Sequence, residues 1–375
     1  NTKRALRDLA AWYKGRVHIP FVAVTGSVGK TTAKDMIAAV LSTRYKVLKT
    51  EGNFNNNVGL PLTLLRLSKE HQICVLEMGM DKFGEIDYLA EIVQPEVGII
   101  TNIGDAHIER LGSRENIFKA KCELLPHIQK DGLLILNGDD ALLTTLRGKT
   151  PVSTVFFGQT EGLEYRAQAV GGDGVSHIHC RMTTPNMERE VKIPALGEHM
   201  VYPALMAAAV AEHFGLTPNE IQQGLTQFVP TKMRMNVLHR AGGITILDDT
   251  YNANPQSMRA AISVLADGPG SWKAAVLGDM LELGPFAPAL HAGVGECLGK
   301  AKVDCLVAVG EMSQHMAQAA RESGVPMVYH CVDRDAAKAV LNQIVREDST
   351  ILVKASRGMK LEELTAYLLK LTEEA

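Results

Sequence analysis

Short apolar runs alternate with segments of helical periodicity in the first part of the chain, from Pro20 to Lys149. The runs "FVAVTG", "ICVLEMG" and "VGIIT" each precede a helical segment, and a fourth run, "LLILN", follows. This alternation predicts a parallel sheet covered by helices. From Val152 to Pro194 the pattern changes to short strand-like pieces broken by "GGDG" and "TTPN". We interpret this stretch as a small antiparallel extension of the same domain.

A second series of strands and helices begins at Ile244, after the segment "VPTKMRM". Its apolar runs are "ITILDD", "WKAAVLG", "CLVAVG", "PMVYH" and "TILVKAS". We therefore predict an α/β protein with two domains, residues 1–232 and residues 233–375. The second domain should be Rossmann-like, but no G-x-G-x-x-G follows its first strand, so nicotinamide binding is not indicated.

Composition and charge narrow the class of protein. The chain has 375 residues, of which 46% are hydrophobic and 22% charged, and its net charge is -3. These values indicate a globular protein without the broad basic surface that nucleic acid requires. The six cysteines form no Cys-x-x-Cys pair, and no apolar run approaches the roughly 20 residues of a membrane span. We expect a cytoplasmic monomer with reduced thiols that binds no nucleic acid and has no membrane span.

The segment "TGSVGKTT" predicts a phosphate-binding loop of unusual length. Only two residues separate Gly26 from Gly29 and Lys30, whereas the common pattern has four. A strand, a glycine turn and a helix start direct backbone N–H groups and the positive helix end toward one phosphate. Lys30 would neutralise the outer phosphates, and Thr31 or Thr32 would offer a hydroxyl to Mg²⁺. The alternative is an ordinary glycine-rich turn before a helix.

Polar side chains follow the neighbouring strands. Glu77 ends "ICVLE" and is a natural magnesium ligand beside a phosphate loop. His107 follows the next strand, and because magnesium prefers oxygen, its chemistry favours an indirect or proton-handling role. Lys119 and Lys121 lie two residues apart on a helix, so only one can face the site. Either could equally be a solvated surface lysine.

Taken together, these motifs resemble the Mur ligase family, the ATP-dependent amino-acid and peptide ligases of cell-wall precursor synthesis. The similarity runs from about Ala23 to Leu369 and includes "EGNFNNNVGLPLTLLRL", "NIGDAHIERLGSRENIFKAKCELL", "LDDTYNANPQSM" and "VKASRGMKLEEL". It is greatest to the members that add D-alanyl-D-alanine. It implies a P-loop ATPase domain followed by the Rossmann-like ligase domain. The implied reaction joins D-alanyl-D-alanine to a UDP-linked muramoyl tripeptide through an acyl phosphate, with ATP and two magnesium ions.

The resemblance also implies roles for individual residues. Lys30, His107 and Lys121 would act in catalysis, and Lys121 matches a position that is carbamylated in several members. The metal ligands would be Thr31, Glu77, His107 and Lys121. The implied ATP-binding residues are Gly26, Ser27, Val28, Gly29, Lys30, Thr31, Thr32, Arg234 and Asp249. The implied substrate-binding residues are Asn57, Tyr251, Asn252, Lys354, Ser356 and Arg357.

The sequence departs from the family in two places. The phosphate-loop strand has already started by Pro20, where relatives first carry a domain for the uridine nucleotide. We therefore expect either a piece of a longer ligase or an amidoligase for a carboxylate without that nucleotide, such as a cofactor or polymer. Met200 and Pro203 replace asparagines that many relatives carry near the adenine. A third hypothesis is a P-loop protein that binds nucleotide without forming a bond, although a guanine-reading Asn-Lys-x-Asp segment is absent.

Overall fold

The chain folds into two compact units in the computed structural model, which describes residues 2–371. The first unit comprises the residues up to Gly171 together with Ile178–Pro194 and Glu198–Val229. The second comprises Gly172–His177, Ala195–Gly197 and the residues from Pro230 onward. Each unit is built around its own sheet.

The sheet of the first unit has nine strands, some of which are buried on both faces. Its strands are β1 (Phe21–Thr25), β2 (Val47–Lys49), β3 (Ile73–Glu77), β4 (Val97–Ile100), β5 (Leu133–Asn137), β6 (Ser153–Gly158), β7 (Tyr165–Gly172), β8 (Ile178–Thr184) and β9 (Met187–Ile193). Their order is β2-β3-β1-β4-β5-β6-β7-β8-β9. Every residue of β1, β3, β4 and β5 is buried, as expected for parallel strands covered by helices.

Strand β1 lies where the strand order of the first unit changes direction. It pairs in parallel with β3 on one side and β4 on the other, so that Val22 lies opposite both Val75 and Val97. The chain passes from β1 outward to β2, returns through β3, and only then crosses to β4. Open α/β sheets bind ligands at such a point, beyond the carboxyl ends of the strands. The loop after β1 occupies this position.

Helices cover the sheet of the first unit. They are α1 (Thr2–Lys14), α2 (Lys30–Leu41), α3 (Gly59–Leu64), α4 (Glu85–Val93), α5 (Ile108–Leu111), α6 (Arg114–Lys121), α7 (Val201–His213) and α8 (Pro218–Thr226), with 3-10 turns at Cys122–His127, Leu143–Leu146 and Glu198–Met200. Helix α8 begins with a capping motif, in which the Thr217 side chain accepts from the N–H of Glu220 and Pro218 occupies the first turn.

The predicted antiparallel extension is smaller than its sequence range suggested. Strand β6 pairs in parallel with β5, so it continues the main sheet. Antiparallel pairing joins β8 and β9, where Ile178 lies opposite Ile193. The direction of a strand depends on which distant strand it pairs with. The change in sequence pattern at Val152 does not reveal that pairing.

The second unit contains all five strands that its apolar runs predict. Its strands are β10 (Asn236–Arg240), β11 (Ile244–Asp248), β12 (Trp272–Gly278), β13 (Cys305–Val309), β14 (Met327–Cys331) and β15 (Ser349–Lys354). Its helices are α9 (Pro255–Asp267), α10 (Ala287–Lys300), α11 (Ser313–Glu322), α12 (Arg334–Ile344) and α13 (Glu362–Lys370), with 3-10 turns at Gly284–Phe286 and Arg357–Met359. The additional strand β10 was not predicted; its residues are half-buried or exposed, and it lies antiparallel to β11 at the sheet edge.

The strand order of the second unit also creates a point of reversal. The order is β10-β11-β15-β12-β13-β14, so the last strand inserts between β11 and β12. The carboxyl ends of β11 and β15 therefore lie side by side, with Asp248 opposite Val353. None of the helices within residues 2–371 combines the length and apolar character that a bilayer crossing requires.

Candidate active site

The predicted phosphate loop follows β1, and both of its glycines are needed for its shape. Gly26 has a φ of 147°, and a Cβ on it would lie 1.8 Å from Oγ1 of Thr101. Gly29 has a φ of 82° and directly precedes helix α2. Side chains disfavour both conformations. The strand, the short turn and the helix start are therefore arranged as the sequence predicted.

Two backbone N–H groups of the loop point into the protein. The N–H of Ser27 donates to the Asn102 carbonyl at 3.1 Å, and the N–H of Val28 donates to Oδ1 of Asn102 at 2.9 Å. Nδ2 of Asn102 donates in return to the Val28 carbonyl at 3.0 Å. Our expectation that the loop amides as a group face a phosphate therefore needs correction. The start of α2 is the positive end of the helix, a position suited to an anion.

Lys30 lies at the first position of α2, followed by Thr31 and Thr32. Its Nζ donates to the Gly26 carbonyl at 2.8 Å, so the side chain folds back over the loop. All three residues are partly exposed. A cation and two hydroxyls thus lie at the positive end of the helix, the arrangement that a bound phosphate and its metal require.

Glu77 is the most informative carboxylate near the loop. It is 2% exposed, at the end of β3 beside β1. Its Oε1 accepts from Nδ2 of Asn55 at 2.8 Å, and its backbone N–H donates to Oγ1 of Thr50 at 3.0 Å. Its Oε2 is buried and has no hydrogen-bond partner among the described residues. A buried carboxylate oxygen in this state fits a hard cation such as Mg²⁺.

Lys121 is the lysine that turns inward, since it is 1% exposed whereas Lys119 is exposed. Burial, and secondarily the positive charge of Lys30, lowers the pKa of the Lys121 ammonium well below its ordinary range. A buried lysine in this environment favours the uncharged amine, which is the nucleophilic form.

His107 lies in the left-handed region, with φ 66° and ψ 20°, immediately before α5. Its Nδ1 lies 3.3 Å from Oδ1 of Asp81, and Nη1 of Arg110 donates to the other oxygen of Asp81 at 3.0 Å. Positive φ is uncommon for a residue other than glycine and often marks functional loops. Asp81 and Arg110 were not predicted as neighbours of this histidine.

The asparagine cluster before α3 separates into different roles. Asn55 contacts Glu77, while Oδ1 of Asn56 accepts from the N–H groups of Val58 and Gly59, each at 3.0 Å. Asn57, the predicted substrate contact, is half-buried. Asn55 was missed because asparagines in a turn look alike in sequence. Only the pairing with the end of β3 distinguishes it.

In the second unit, Asp249 and Lys354 form a buried ion pair at the adjacent ends of β11 and β15. Nζ of Lys354 lies 2.6 Å from Oδ2 of Asp249, and it also donates to the Asn252 carbonyl at 2.8 Å. Oδ1 of Asp249 accepts from the N–H of Met235 at 3.2 Å. Burial lowers the pKa of Lys354, and the charge of Asp249 opposes that shift. Three predicted site residues therefore form one network.

The remaining predicted residues of the second unit lie on the surrounding loops. The Arg234 guanidinium lies 4.0 Å from the centre of the Tyr251 ring, within cation–π range. Oγ of Ser356 accepts from the N–H of Leu281 at 2.9 Å. Nη1 of Arg357 donates to Oε1 of Glu362 at 2.8 Å, and the Arg357 side chain is 54% exposed. An exposed guanidinium can still reach a carboxylate ligand.

Comparison with known proteins agrees with this geometry. Residues 24–211 match the Mur ligase middle domain, and residues 233–357 match the Mur ligase, glutamate ligase domain. The UDP-N-acetylmuramoyl-tripeptide--D-alanyl-D-alanine ligase of Bacillus subtilis is 39% identical over 373 residues, which are 99% of this chain and 80% of that protein.

Two solved structures are similar over nearly all of this chain. MurF from Acinetobacter baumannii has a TM-score of 0.91 and 35% identity, covering 99% of this chain and 81% of its own. MurF ligase from Thermotoga maritima in complex with ADP has a TM-score of 0.89 and 28% identity, covering 100% of this chain and 85% of its own. The resemblance inferred from the sequence motifs is confirmed, and this chain belongs to the Mur ligase family.

Proposed function

We propose that this protein is an ATP-dependent, ADP-forming ligase that joins D-alanyl-D-alanine to UDP-N-acetylmuramoyl-tripeptide in peptidoglycan precursor synthesis. This proposal rests on the residues that lie together in the unit that contains the phosphate loop. A helix N-terminus bearing Lys30, the buried Glu77 with its unpartnered oxygen, and the buried Lys121 all belong to the first unit. The names of the similar ligases supply the substrates.

Magnesium would bind at this site mainly to oxygen donors, with one histidine nitrogen. We propose that Thr31 and Glu77 hold one ion, and that His107 and Lys121, the latter as its carbamate, hold a second. The unpartnered oxygen of Glu77 supports the first assignment. The bound ions would screen the repulsion between the negative substrates and hold the reacting oxygens in line.

The chain's own residues would orient the nucleotide and the acceptor. The N-terminus of α2 and Lys30 would bind the phosphates and favour the negative charge that builds up on the transferred group. The acceptor carboxylate attacks the γ-phosphorus, which forms an acyl phosphate and releases ADP. The dipeptide amine then attacks the acyl carbon, loses a proton, and phosphate leaves. Water must be excluded meanwhile, because it would hydrolyse the acyl phosphate.

We propose the division of labour that the sequence predicted. Residues 1–232 would bind ATP, and residues 233–375 would bind the incoming amine. Arg234 and Asp249 would contact the nucleotide. The proposed substrate contacts are Asn57, Tyr251, Asn252, Lys354, Ser356 and Arg357. We further expect a cytoplasmic monomer.

A coupled ADP-release assay, with each substrate omitted in turn, tests the proposed reaction. We expect turnover only when ATP, the UDP-linked tripeptide and D-alanyl-D-alanine are all present. Lys30→Ala should abolish it, while Lys119→Ala, which changes an exposed lysine of α6, should not. Equal stimulation by unrelated amino acids would contradict the substrate assignment. Nucleotide binding without any acceptor-dependent turnover would contradict ligase activity itself.

A further inference from the structure

Asn55 controls one of the two carboxylate oxygens of Glu77. Its Nδ2 donates to Oε1 at 2.8 Å. An ionised carboxylate can only accept hydrogen bonds, so the NH₂ end of the amide must face Glu77. One oxygen of the carboxylate is thereby engaged before any ligand arrives. The other, Oε2, is buried and lacks a hydrogen-bond partner among the described residues.

The Asn55 amide is held from both sides of the strand end. Its backbone carbonyl accepts from the N–H of Gly79 at 2.8 Å, just beyond Glu77. A Cβ placed on Gly79 would lie 3.0 Å from both Cγ and Oδ1 of Asn55, so the side chain packs closely on this glycine. Asn55 therefore contacts the end of β3 through both its main chain and its side chain. Its position is determined by contacts that do not involve a ligand.

This asymmetry affects how Glu77 can bind a cation. Calcium accepts six to eight oxygen ligands at about 2.3–2.6 Å and readily takes both oxygens of one carboxylate. Magnesium requires near-octahedral geometry at about 2.0–2.1 Å and usually binds a carboxylate through one oxygen. A carboxylate with one oxygen already bonded to an amide is suited to the second mode.

We propose that Asn55 is a positioning residue that makes Glu77 a one-oxygen ligand and thereby favours Mg²⁺ over Ca²⁺ at the nucleotide site. This inference rests on the proposed role of Glu77 in binding magnesium. Groups that orient a metal ligand typically contribute 10–100-fold to metal affinity. The preference for magnesium would therefore depend on a residue that does not itself contact the metal.

The neighbouring asparagines provide matched controls. Asn53 is exposed, and the Asn56 side chain accepts from the N–H groups of Val58 and Gly59. Asn56→Ala would loosen the same loop without removing a contact to Glu77. If general disturbance of the loop lowers the preference for magnesium, Asn56→Ala should lower it as well. If the contact with Glu77 is responsible, the preference should fall only when Asn55 is changed.

The test is a titration of the whole protein with Mn²⁺ in the presence of a non-hydrolysable ATP analogue. Binding of Mn²⁺ is monitored by electron paramagnetic resonance. Mg²⁺ or Ca²⁺ is then added to displace the Mn²⁺, and the ratio of the two displacement constants is measured. For Asn55→Leu we expect magnesium affinity to fall about 10–100-fold. Calcium affinity should fall by a smaller factor, so that the preference for magnesium drops. Asn53→Ala and Asn56→Ala should keep the wild-type ratio.

An unchanged ratio in Asn55→Leu would overturn the inference, as would an equal drop in Asn56→Ala. If Asn55→Leu does not fold, Gly79→Ala takes its place. That change presses on the Asn55 side chain and should move the ratio in the same direction by a smaller factor; an unchanged ratio there would equally overturn the inference. Glu77→Gln tests the metal-binding role of Glu77 separately from the positioning role of Asn55. Wild-type Mn²⁺ binding by Glu77→Gln would refute the proposed metal role of Glu77 and this inference with it.

Discussion

Gly26 and Thr101 are in such close contact that a Cβ atom on the glycine would lie 1.8 Å from the threonine Oγ1. The Thr101 hydroxyl also donates to the Val28 carbonyl at 2.6 Å. Thr101, the residue that follows β4, therefore contacts the phosphate loop at two points. Any side chain at Gly26 must displace either the loop or Thr101.

Gly26→Ala should consequently weaken nucleotide binding on the order of 100-fold, because loop atoms must move by a substantial part of an ångström. Gly29→Ala is the matched control, since no atom lies within 4 Å of its added Cβ. Because Gly29 has a positive φ, Gly29→Ala should weaken the free energy of ADP binding by only about 1 kcal/mol. Calorimetric titration with ADP measures both. Equal affinities for the two variants would show that the contact with Thr101 does not determine the loop conformation.

Lys121 should react with carbon dioxide, whereas Lys119 should not. Carbamate formation requires an uncharged amine, and burial lowers the pKa of Lys121 well below its ordinary range. After equilibration with ¹³C-bicarbonate, the protein should show a carbamate resonance in its ¹³C spectrum. The resonance should vanish in Lys121→Met and persist in Lys119→Met. Its persistence in Lys121→Met would assign the modification to another residue.

The contributions of Asp249 and Lys354 to stability should depend on each other. The Lys354 side chain is 3% exposed and that of Asp249 is 14% exposed. Asp249→Ala leaves a buried cation without its counter-charge and should lower the free energy of unfolding by about 3–5 kcal/mol. Lys354→Met should cost less, because Asp249 is nearer to solvent and keeps its bond from Met235.

Denaturant unfolding of the single variants, including Asp249→Leu, and of Asp249→Leu combined with Lys354→Met measures the coupling. The double variant should regain most of the stability lost in Asp249→Ala, because apolar side chains of similar size can replace a buried ion pair. It should still lack ligase activity. Additive losses in the double variant would rule out the interdependence of the two charges.

His291 should make stability depend on pH below neutrality. It is fully buried; its Nε2 accepts from the N–H of Met280 at 3.0 Å, and its Nδ1 lies 2.7 Å from the Ala287 carbonyl. Burial lowers its pKa below the ordinary value of 6.5, although the charge of Asp279 opposes the shift. The folded state therefore holds the neutral ring, while the unfolded chain takes up a proton below about pH 6.5.

The sign of the effect follows from this proton uptake. The contribution of His291 is complete above about pH 6.5 and is lost as the pH falls toward the folded-state pKa, with a slope of at most about 1.4 kcal/mol per pH unit. His291→Gln should be less stable at neutral pH but should lose less stability on acidification. Unfolding measurements at several pH values between about 7.5 and 5 test this. Parallel pH curves for both proteins would refute it.

Local sequence determined much of this protein. Alternating apolar runs and helical segments define both series of strands, because buried parallel strands must be apolar on both faces. The glycines, Lys30 and the threonines define the loop, since strand, turn and helix start are adjacent in the chain. Those features are settled by interactions within a few residues, and the family motifs extend them to the ligase class.

Only the tertiary structure decided which of several neighbouring residues of the same type face the site. Four asparagines precede α3, but only the pairing of their loop with the end of β3 places Asn55 on Glu77. Two lysines lie on α6, and the folded structure buries Lys121 while Lys119 stays exposed. Asn102, far from the loop in sequence, takes up the N–H groups of Ser27 and Val28. These choices depend on contacts between distant segments, which the spacing of residues along one segment does not contain.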